Sequence, residues 1–350
     1  MRVALAGCGN IAGRYASSIR EKERLELAGA TDLVPARAEE LVAEHGGQAY
    51  PSLEALLADG AVDTVVNLTI APAHAAVTAA CLEAGKHVHT EKPVALRHEE
   101  AHELAELARR LSLRLSCAPS TLLGEAQQTA WKLLREGAIG RVRAVYAESN
   151  WGRIESWHPR PEGILAAGPM VDVGVYPATM VTGMLGPARR VVAYRTELEP
   201  ERTRLDGVAF TLEAPDFVVA VVELESGVVV RFTASFYVGR GKQLGIELHG
   251  DGGTLYFPAW EADSRLELAV DGGEYAPVPL VRDPYPGIDW SRPLVDLAEA
   301  VAEGRPHRAS AEHAAHVVEL LNAIEVSGNG GGAVEIRSRF EPPEPMEWAR

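Results

Sequence analysis

Lysine is scarce in this chain. Of its 34 basic residues only five are lysines (Lys22, Lys86, Lys92, Lys132 and Lys242), so arginine carries nearly every plain positive charge. A lysine kept at a ligand site is then a candidate for work arginine cannot do, through a compact, mobile ammonium whose pKa responds to burial. The excess of arginine and the abundant alanine otherwise fit genome composition. Cysteine is scarce as well: Cys8, Cys81 and Cys117 are odd in number and unclustered, which excludes a disulfide framework and a zinc site of recognisable spacing. No apolar run approaches a membrane span. Met1-Arg2-Val3-Ala4-Leu5 leads straight into a strand pattern with no apolar leader, so a reducing cytoplasm is the expected home. Positive charge is also short. A formal charge of −15 opposes nonspecific binding to nucleic acid or to an anionic membrane, both of which need a basic face. There is no internal repeat and no heptad seam.

What is present is an ordinary globular composition, 47% hydrophobic, and a length of 350 residues that suggests about two domains. Strands and helices alternate at first. Strands are expected at Val3–Ala6, Leu25–Thr31, Thr64–Leu68, Lys86–Thr90 (the fourth) and Arg114–Cys117. Helices are expected at Ile11–Arg20, Ala36–Glu44 after Pro35, Ala73–Ala84 and His98–Leu111. That alternation calls for a parallel doubly wound sheet, an α/β Rossmann domain over 1–118. After Pro119 the pattern changes. One helix at Gln127–Arg135 precedes a run of strands, including a long pair over Phe217–Val238 joined at Ser226-Gly227. Further turns fall at Gly250–Gly253 and Asp271–Gly273. Helices return at Pro293–Glu303 and Ala311–Val326, and Gly328–Gly332 reads as a loose run. Residues 119–350 are therefore expected to form an α+β domain with a large, mostly antiparallel, open-faced sheet.

Gly7-Cys8-Gly9-Asn10-Ile11-Ala12 follows the first strand and opens the first helix. In a dinucleotide fingerprint the first glycine permits the tight turn, the second lets the backbone approach phosphate, and a small third residue lets helix meet strand. Free amides of Asn10 and Ile11 at the helix start would face the pyrophosphate. Asp32 stands twenty residues past Ala12 (12 to 32), where an acid would bind ribose hydroxyls and repel a 2′-phosphate, favouring NAD over NADP. The bland alternative for Asp32 is an N-cap ahead of Pro35, and Arg37 is either a phosphate ligand or a solvated helix residue. Glu91-Lys92-Pro93 closes another strand and puts Lys92 at the carboxyl end, where α/β sheets hold ligands. Asp172 and Tyr176, four apart in Asp172-Val173-Gly174-Val175-Tyr176, share one face if a helix begins there. Alternatively Asp172 caps that helix and Tyr176 packs in the core.

Together with Asn67-Leu68-Thr69 leading to His74, and Gly137-x-x-Gly140, these motifs resemble the glucose–fructose oxidoreductase, inositol dehydrogenase and rhizopine-catabolism (Gfo/Idh/MocA) family over nearly the whole chain. The resemblance implies a Rossmann domain followed by an open-faced sheet domain, and NAD(P)-linked oxidation or reduction of a sugar, cyclitol or related alcohol. It also implies a homodimer or homotetramer formed through the sheet face. Carried over to this sequence, Lys92 would bind the reacting hydroxyl and help move its proton, and Asp172 would orient the substrate. Tyr176 would stand where many members have histidine. A phenol's reference pKa near 10 is high for a base, and a neighbouring ammonium would lower it. Gly7, Gly9, Asn10, Ile11, Asp32, Thr69, His74 and Glu91 would line the cofactor site. His74 alternatively packs at a helix start, and the proline after Thr69 comes one place later than usual, at Pro72.

Asn150 and Trp157 are candidate substrate contacts; the indole would serve as a platform for a sugar face or as core packing. His87-x-His89 and His313-x-x-His316 each pair two imidazoles, but neither has a third ligand at a recognisable spacing, so no metal is expected. Two other functions compete with the dehydrogenase: a glycosidase using tightly held NAD for transient oxidation, and a non-catalytic nucleotide-binding regulator.

Overall fold

A computed structural model describes residues 1–239 and 241–350. They form two compact units, Met1–Leu123 with Asp289–Val318, and Gly124–Ile288 with Glu319–Arg350. The first unit thus reaches past 118 and takes back a later segment. The reason is packing that no local pattern reveals. Leu294 is fully buried among Leu5, Tyr15 and Ile19, while Ala311, Ala315 and Val318 complete a second cluster with Val65, Val88 and Leu115.

In the first unit the elements run β1 (Arg2–Ala6), α1 (Ala12–Arg20), β2 (Glu26–Thr31), α2 (Pro35–His45), β3 (Gln48–Ala49), α3 (Leu53–Ala58), β4 (Thr64–Asn67), α4 (His74–Glu83), β5 (His87–Thr90), α5 (His98–Arg110) and β6 (Leu115–Cys117). The six strands pair in parallel in the order β3-β2-β1-β4-β5-β6. Chain direction across the sheet reverses between β1 and β4, the switch point at which such folds bind ligands. Alternate residues of β1 feed the two cores, Val3 and Leu5 into one, Ala4 and Ala6 into the other. β3 and α3 escaped the sequence reading, so the strand before Lys92 is the fifth in chain order, not the fourth. A two-residue strand has no periodicity to read. Six-residue α3 is fixed at its start by Ser52 Oγ, which accepts a hydrogen bond from the Ala55 N–H at 3.2 Å.

The second unit carries a nine-stranded sheet. Its strands are β7 (Val142–Asn150), β8 (Ala188–Thr196), β11 (Phe217–Leu224), β12 (Val229–Ser235), β13 (Gly245–Gly250), β14 (Gly253–Phe257), β15 (Leu266–Val270), β16 (Ala276–Val278) and β17 (Val334–Glu335). A separate pair is made by β9 (Glu201–Thr203) and β10 (Ala209–Thr211). The large sheet is ordered β16-β15-β14-β13-β7-β12-β11-β8-β17, and among the described residues β7–β12 is the one parallel pair. Register separates its faces. Ala220, Phe232, Ala147, Ile246 and Phe257 lie side by side across five strands and are all buried. One residue along each strand, Val221, Arg231, Tyr146, Glu247 and Tyr256 form the outward row. This unit also holds the helices α6 (Glu125–Arg135), α7 (Glu162–Ala167) and α8 (Val175–Leu185). In the stretch read as a loose glycine run the chain leaves helical geometry at Asn329 and Gly330, the latter with φ +92.

Candidate active site

The glycine turn is fixed by close packing at one end and open at the other. Gly7 has φ +100, and a Cβ there would sit 2.7 Å from the Leu68 carbonyl oxygen, so only glycine lets β1 and the end of β4 approach this closely. Gly9 is the opposite case: a Cβ would meet nothing within 4 Å, so the space over the turn is open. Ile11 stands at the N-cap of α1 with no side-chain cap, and the first turn holds no acid. The Ala12 and Arg14 N–H groups are taken by the Gly9 and Ile11 carbonyls, both at 3.1 Å, so an anion at this helix start would be met by the amides of the turn itself and not by the whole first turn of α1.

Asp32 braces the same turn. One carboxylate oxygen accepts the Cys8 N–H at 2.7 Å, and the other accepts the Val34 N–H at 2.8 Å. The N-cap of α2 is Val34, not Asp32. Arg37, mostly exposed, comes to 3.8 Å of the carboxylate. Burial and the adjacent Asp32 charge push the Cys8 thiol up to about 12, away from the thiolate form. Leu33 and Ile70, at the ends of β2 and past β4, are apolar and strongly exposed, and nothing in their sequence context marked them.

Lys92 follows β5 by two residues and precedes a cis Lys92–Pro93 peptide. Its N–H donates to Glu91 Oε2 at 3.1 Å, and the Tyr15 hydroxyl donates to Glu91 Oε1 at 2.8 Å. Glu91 is thereby held by two donors at 8% exposure. On the neighbouring loop, Thr69 donates through both its N–H (3.2 Å) and its hydroxyl (2.6 Å) to Asn67 Oδ1, and a short 3-10 turn, Ala71–Ala73, absorbs the displaced Pro72. His74 is 2% exposed, with Nδ1 2.7 Å from the Pro93 carbonyl and Nε2 3.0 Å from the Thr69 carbonyl. It therefore clips the Thr69 loop to the segment just after Lys92.

In the second unit Asp172 lies in a π-type turn, Met170–Gly174, that runs directly into α8 and Tyr176. Such turns are frequent at functional sites. Neither the turn nor α8 has a side-chain N-cap, so Asp172 is not a helix cap. Tyr176 is partly buried and stacks on Trp260, ring centroids 5.4 Å apart and planes inclined 19°. Trp157 is 50% exposed and meets Trp151 and His158 edge to face, which removes the core-packing alternative. Asn150 is the last residue of β7. Strand alternation puts it on the outward face with Tyr146 and Glu148, its Nδ2 3.2 Å from Glu148 Oε2. Its Oδ1 is buried and has no partner. The loop bearing the tryptophans is anchored by a buried cluster in which Arg202 pairs with Glu155 (2.6 Å) and Asp216.

Among the described residues no group of three or more His, Cys, Asp or Glu side chains could hold a metal ion, and no helix is long and apolar enough to cross a membrane. His89 Nδ1 faces Ser116 Oγ, and burial drives the His89 imidazole down to about 3.

The profile of the oxidoreductase family with an NAD-binding Rossmann fold (Gfo/Idh/MocA) matches residues 1–118, and the C-terminal domain profile of the same family matches 127–256. The chain belongs to this family. It is 27% identical over 297 residues to trans-1,2-dihydrobenzene-1,2-diol dehydrogenase of Bos taurus, covering 83% of each chain. It is 30% identical over 235 residues to UDP-N-acetylglucosamine 3-dehydrogenase of Acidithiobacillus ferrooxidans, covering 67% of each. A crystal structure of an NAD-binding oxidoreductase from Klebsiella pneumoniae shares the fold with a TM-score of 0.86 at 22% identity, over 97% of this chain and 99% of that one. The chain is thus an oxidoreductase with the Gfo/Idh/MocA two-part architecture. Within that architecture the sequence reading missed Tyr15, Arg202 and Trp260. Each acts through a partner distant in sequence, and no local spacing announces it.

Proposed function

We propose that the chain is an NAD-dependent dehydrogenase or reductase that interconverts a secondary hydroxyl and a ketone on a sugar, cyclitol or related polyol. The observation that carries this reading lies in the first unit: an open glycine turn at an uncapped helix start, with a lysine at the carboxyl end of a parallel strand of the same sheet. Two relatives with names for dehydrogenation of a diol and of a sugar nucleotide support the substrate class. Backbone at Gly7, Gly9, Asn10 and Ile11 would hold the pyrophosphate, Asp32 the ribose, and the Thr69 loop, clipped by His74 and flanked by Glu91, the nicotinamide side. Bound nicotinamide supplies the hydride acceptor or donor. Lys92 donates a hydrogen bond to the reacting oxygen and favours its alkoxide form; Tyr176 takes up or returns the hydroxyl proton; Asp172 orients the substrate, with Trp157 as an apolar platform. Asp32, already satisfied by two backbone donors, would repel a 2′-phosphate, which favours NAD over NADP.

The outward row of the large sheet, together with exposed Val192 and Tyr194, is the surface we assign to a homodimer or homotetramer, and light-scattering mass decides it. Three free cysteines suit a cytoplasmic location. The functional test is NAD and NADP reduction over a panel of inositols, aldoses, anhydro-sugars and nucleotide sugars, with Lys92→Met alongside. The variant is expected to bind NADH as wild type does while losing at least about a hundredfold in kcat. Wild-type turnover in Lys92→Met removes the lysine from the mechanism. Release of a free sugar with no net NADH makes the chain a glycosidase.

A further inference from the structure

We propose that Trp260 is a positioning residue for Tyr176, its indole holding the phenol ring in one orientation for proton transfer. This rests on the role given to Tyr176 above. The two rings are nearly parallel at 5.4 Å between centroids, the offset stack that aromatic quadrupoles favour. A tyrosine at the start of α8 has its first torsion restricted by the helix, whereas the second is set by whatever lies against the ring face. The indole supplies that surface. Because it meets the ring through the face, it leaves the hydroxyl edge to other partners.

Trp260 is itself held by backbone on both sides. On one side Gln127 Nε2 donates to the Glu261 carbonyl at 3.1 Å, the Ala126 N–H to the Ala262 carbonyl at 3.0 Å, and the Ala262 N–H to the Gly287 carbonyl at 2.8 Å. On the other, Phe257 and Pro258 run against Gly245, where a Cβ would sit 2.1 Å from the Phe257 carbonyl oxygen. Plain core filling is a poor account of such a residue. Phe257, three positions earlier, is 1% exposed and fills the core, whereas Trp260 keeps part of its surface in solvent.

The experiment compares Trp260→Leu, Trp260→Phe, Tyr176→Phe and the double variant Trp260→Leu/Tyr176→Phe in the full chain. The assay is NAD reduction with whichever compound of the panel above turns over fastest, alongside NADH binding and urea unfolding. Trp260→Leu is expected to lower kcat about tenfold with NADH affinity and unfolding midpoint near wild type, and Trp260→Phe to restore most of it. In the Tyr176→Phe background the leucine is expected to cost less than about twofold, since the hydroxyl it would misplace is gone. Equal losses in both backgrounds, or wild-type kcat in Trp260→Leu, overturn the proposal while leaving Tyr176 in place. Wild-type kcat in Tyr176→Phe refutes both roles. A readout without substrate is the NMR spectrum of ¹³C-tyrosine-labelled protein, with Tyr176 assigned through Tyr176→Phe. The ring-current shift of Tyr176 is expected to vanish in Trp260→Leu, and an unchanged shift overturns the stack.

Discussion

Replacing Asp32 with alanine tests two roles of one carboxylate, bracing the glycine turn and selecting the coenzyme. Asp32 accepts the Cys8 N–H at 2.7 Å and the Val34 N–H at 2.8 Å, and its side chain is nearly buried. Hydrogen bonds to a charged acceptor contribute about 1.5–3 kcal/mol each, but a donor that reaches water recovers most of its loss. Val34 is exposed, so water can replace Asp32 there. The Cys8 N–H is partly buried and has no such replacement. The expected net cost is about 2 kcal/mol. At about 2–4 °C per kcal/mol for a unit of this size, Tm should fall by about 4–8 °C. Binding should change separately. Losing the ribose acceptor weakens NADH by about tenfold or more, and Arg37, 3.8 Å away, loses the anion beside it and becomes available to a 2′-phosphate. The NADH-to-NADPH affinity ratio should therefore shift toward NADPH by on the order of a hundredfold, read from coenzyme fluorescence titrations. A lowered Tm with an unchanged ratio would reduce Asp32 to a turn brace. An unchanged Tm would refute the hydrogen-bond reasoning itself.

Two further outcomes follow from buried charge. Arg202→Met leaves Glu155 and Asp216 as neighbouring buried carboxylates and should destabilise the chain by about 3–5 kcal/mol in urea unfolding; a loss under about 1 kcal/mol contradicts the cluster's role. Burial holds the folded His89 imidazole near 3, against 6.5 in the unfolded chain, so between those values the unfolded state binds the extra proton and stability falls as pH drops. From pH 7 to pH 5 that loss is about 2 kcal/mol, and His89→Asn should remove it from the slope of unfolding free energy against pH; an unchanged slope rejects the assignment.

The parts of this protein written locally along the chain were legible in its sequence. Pro35 does open α2, Ala311–Val326 has the expected bounds, and the turn at Ser226-Gly227 does join β11 to β12. Each carries its own punctuation or period. The glycine turn and Asp32 could be picked out by their spacing alone, but what holds them is distant: Asp32 takes the N–H of Cys8, and Gly7 packs on the Leu68 carbonyl. Long-range closure was not legible. The return of Asp289–Val318 to the first unit depends on Leu294 and Ala315 meeting strands from the other end of the chain. The face that Asn150 takes was not legible, because the sequence offers a strand its alternation but not which parity faces outward. Trp260 was invisible because what makes it informative is a ring 84 positions away (176 to 260).

His89, one of the imidazole pair for which no metal was expected, shows how the coenzyme turn and the lysine are tied together. Tyr15 spends its hydroxyl proton on Glu91 Oε1 at 2.8 Å, so it can only accept from His89 Nε2 at 3.3 Å. The proton on His89 is then at Nε2, and Nδ1 is left to accept from Ser116 Oγ–H at 2.9 Å. A neutral ring is the state its burial imposes. The network thus runs from Ser116 on β6 through His89 on β5 and Tyr15 on α1 to Glu91, and Glu91 Oε2 takes the N–H of Lys92. Its directions follow from the single hydroxyl proton of Tyr15 and the single N–H of a neutral imidazole. Because Tyr15 belongs to the helix whose N-terminus opens onto the glycine turn, the element that would receive the pyrophosphate also fixes the backbone of the lysine. A metal at His89 would have to break this network at its centre.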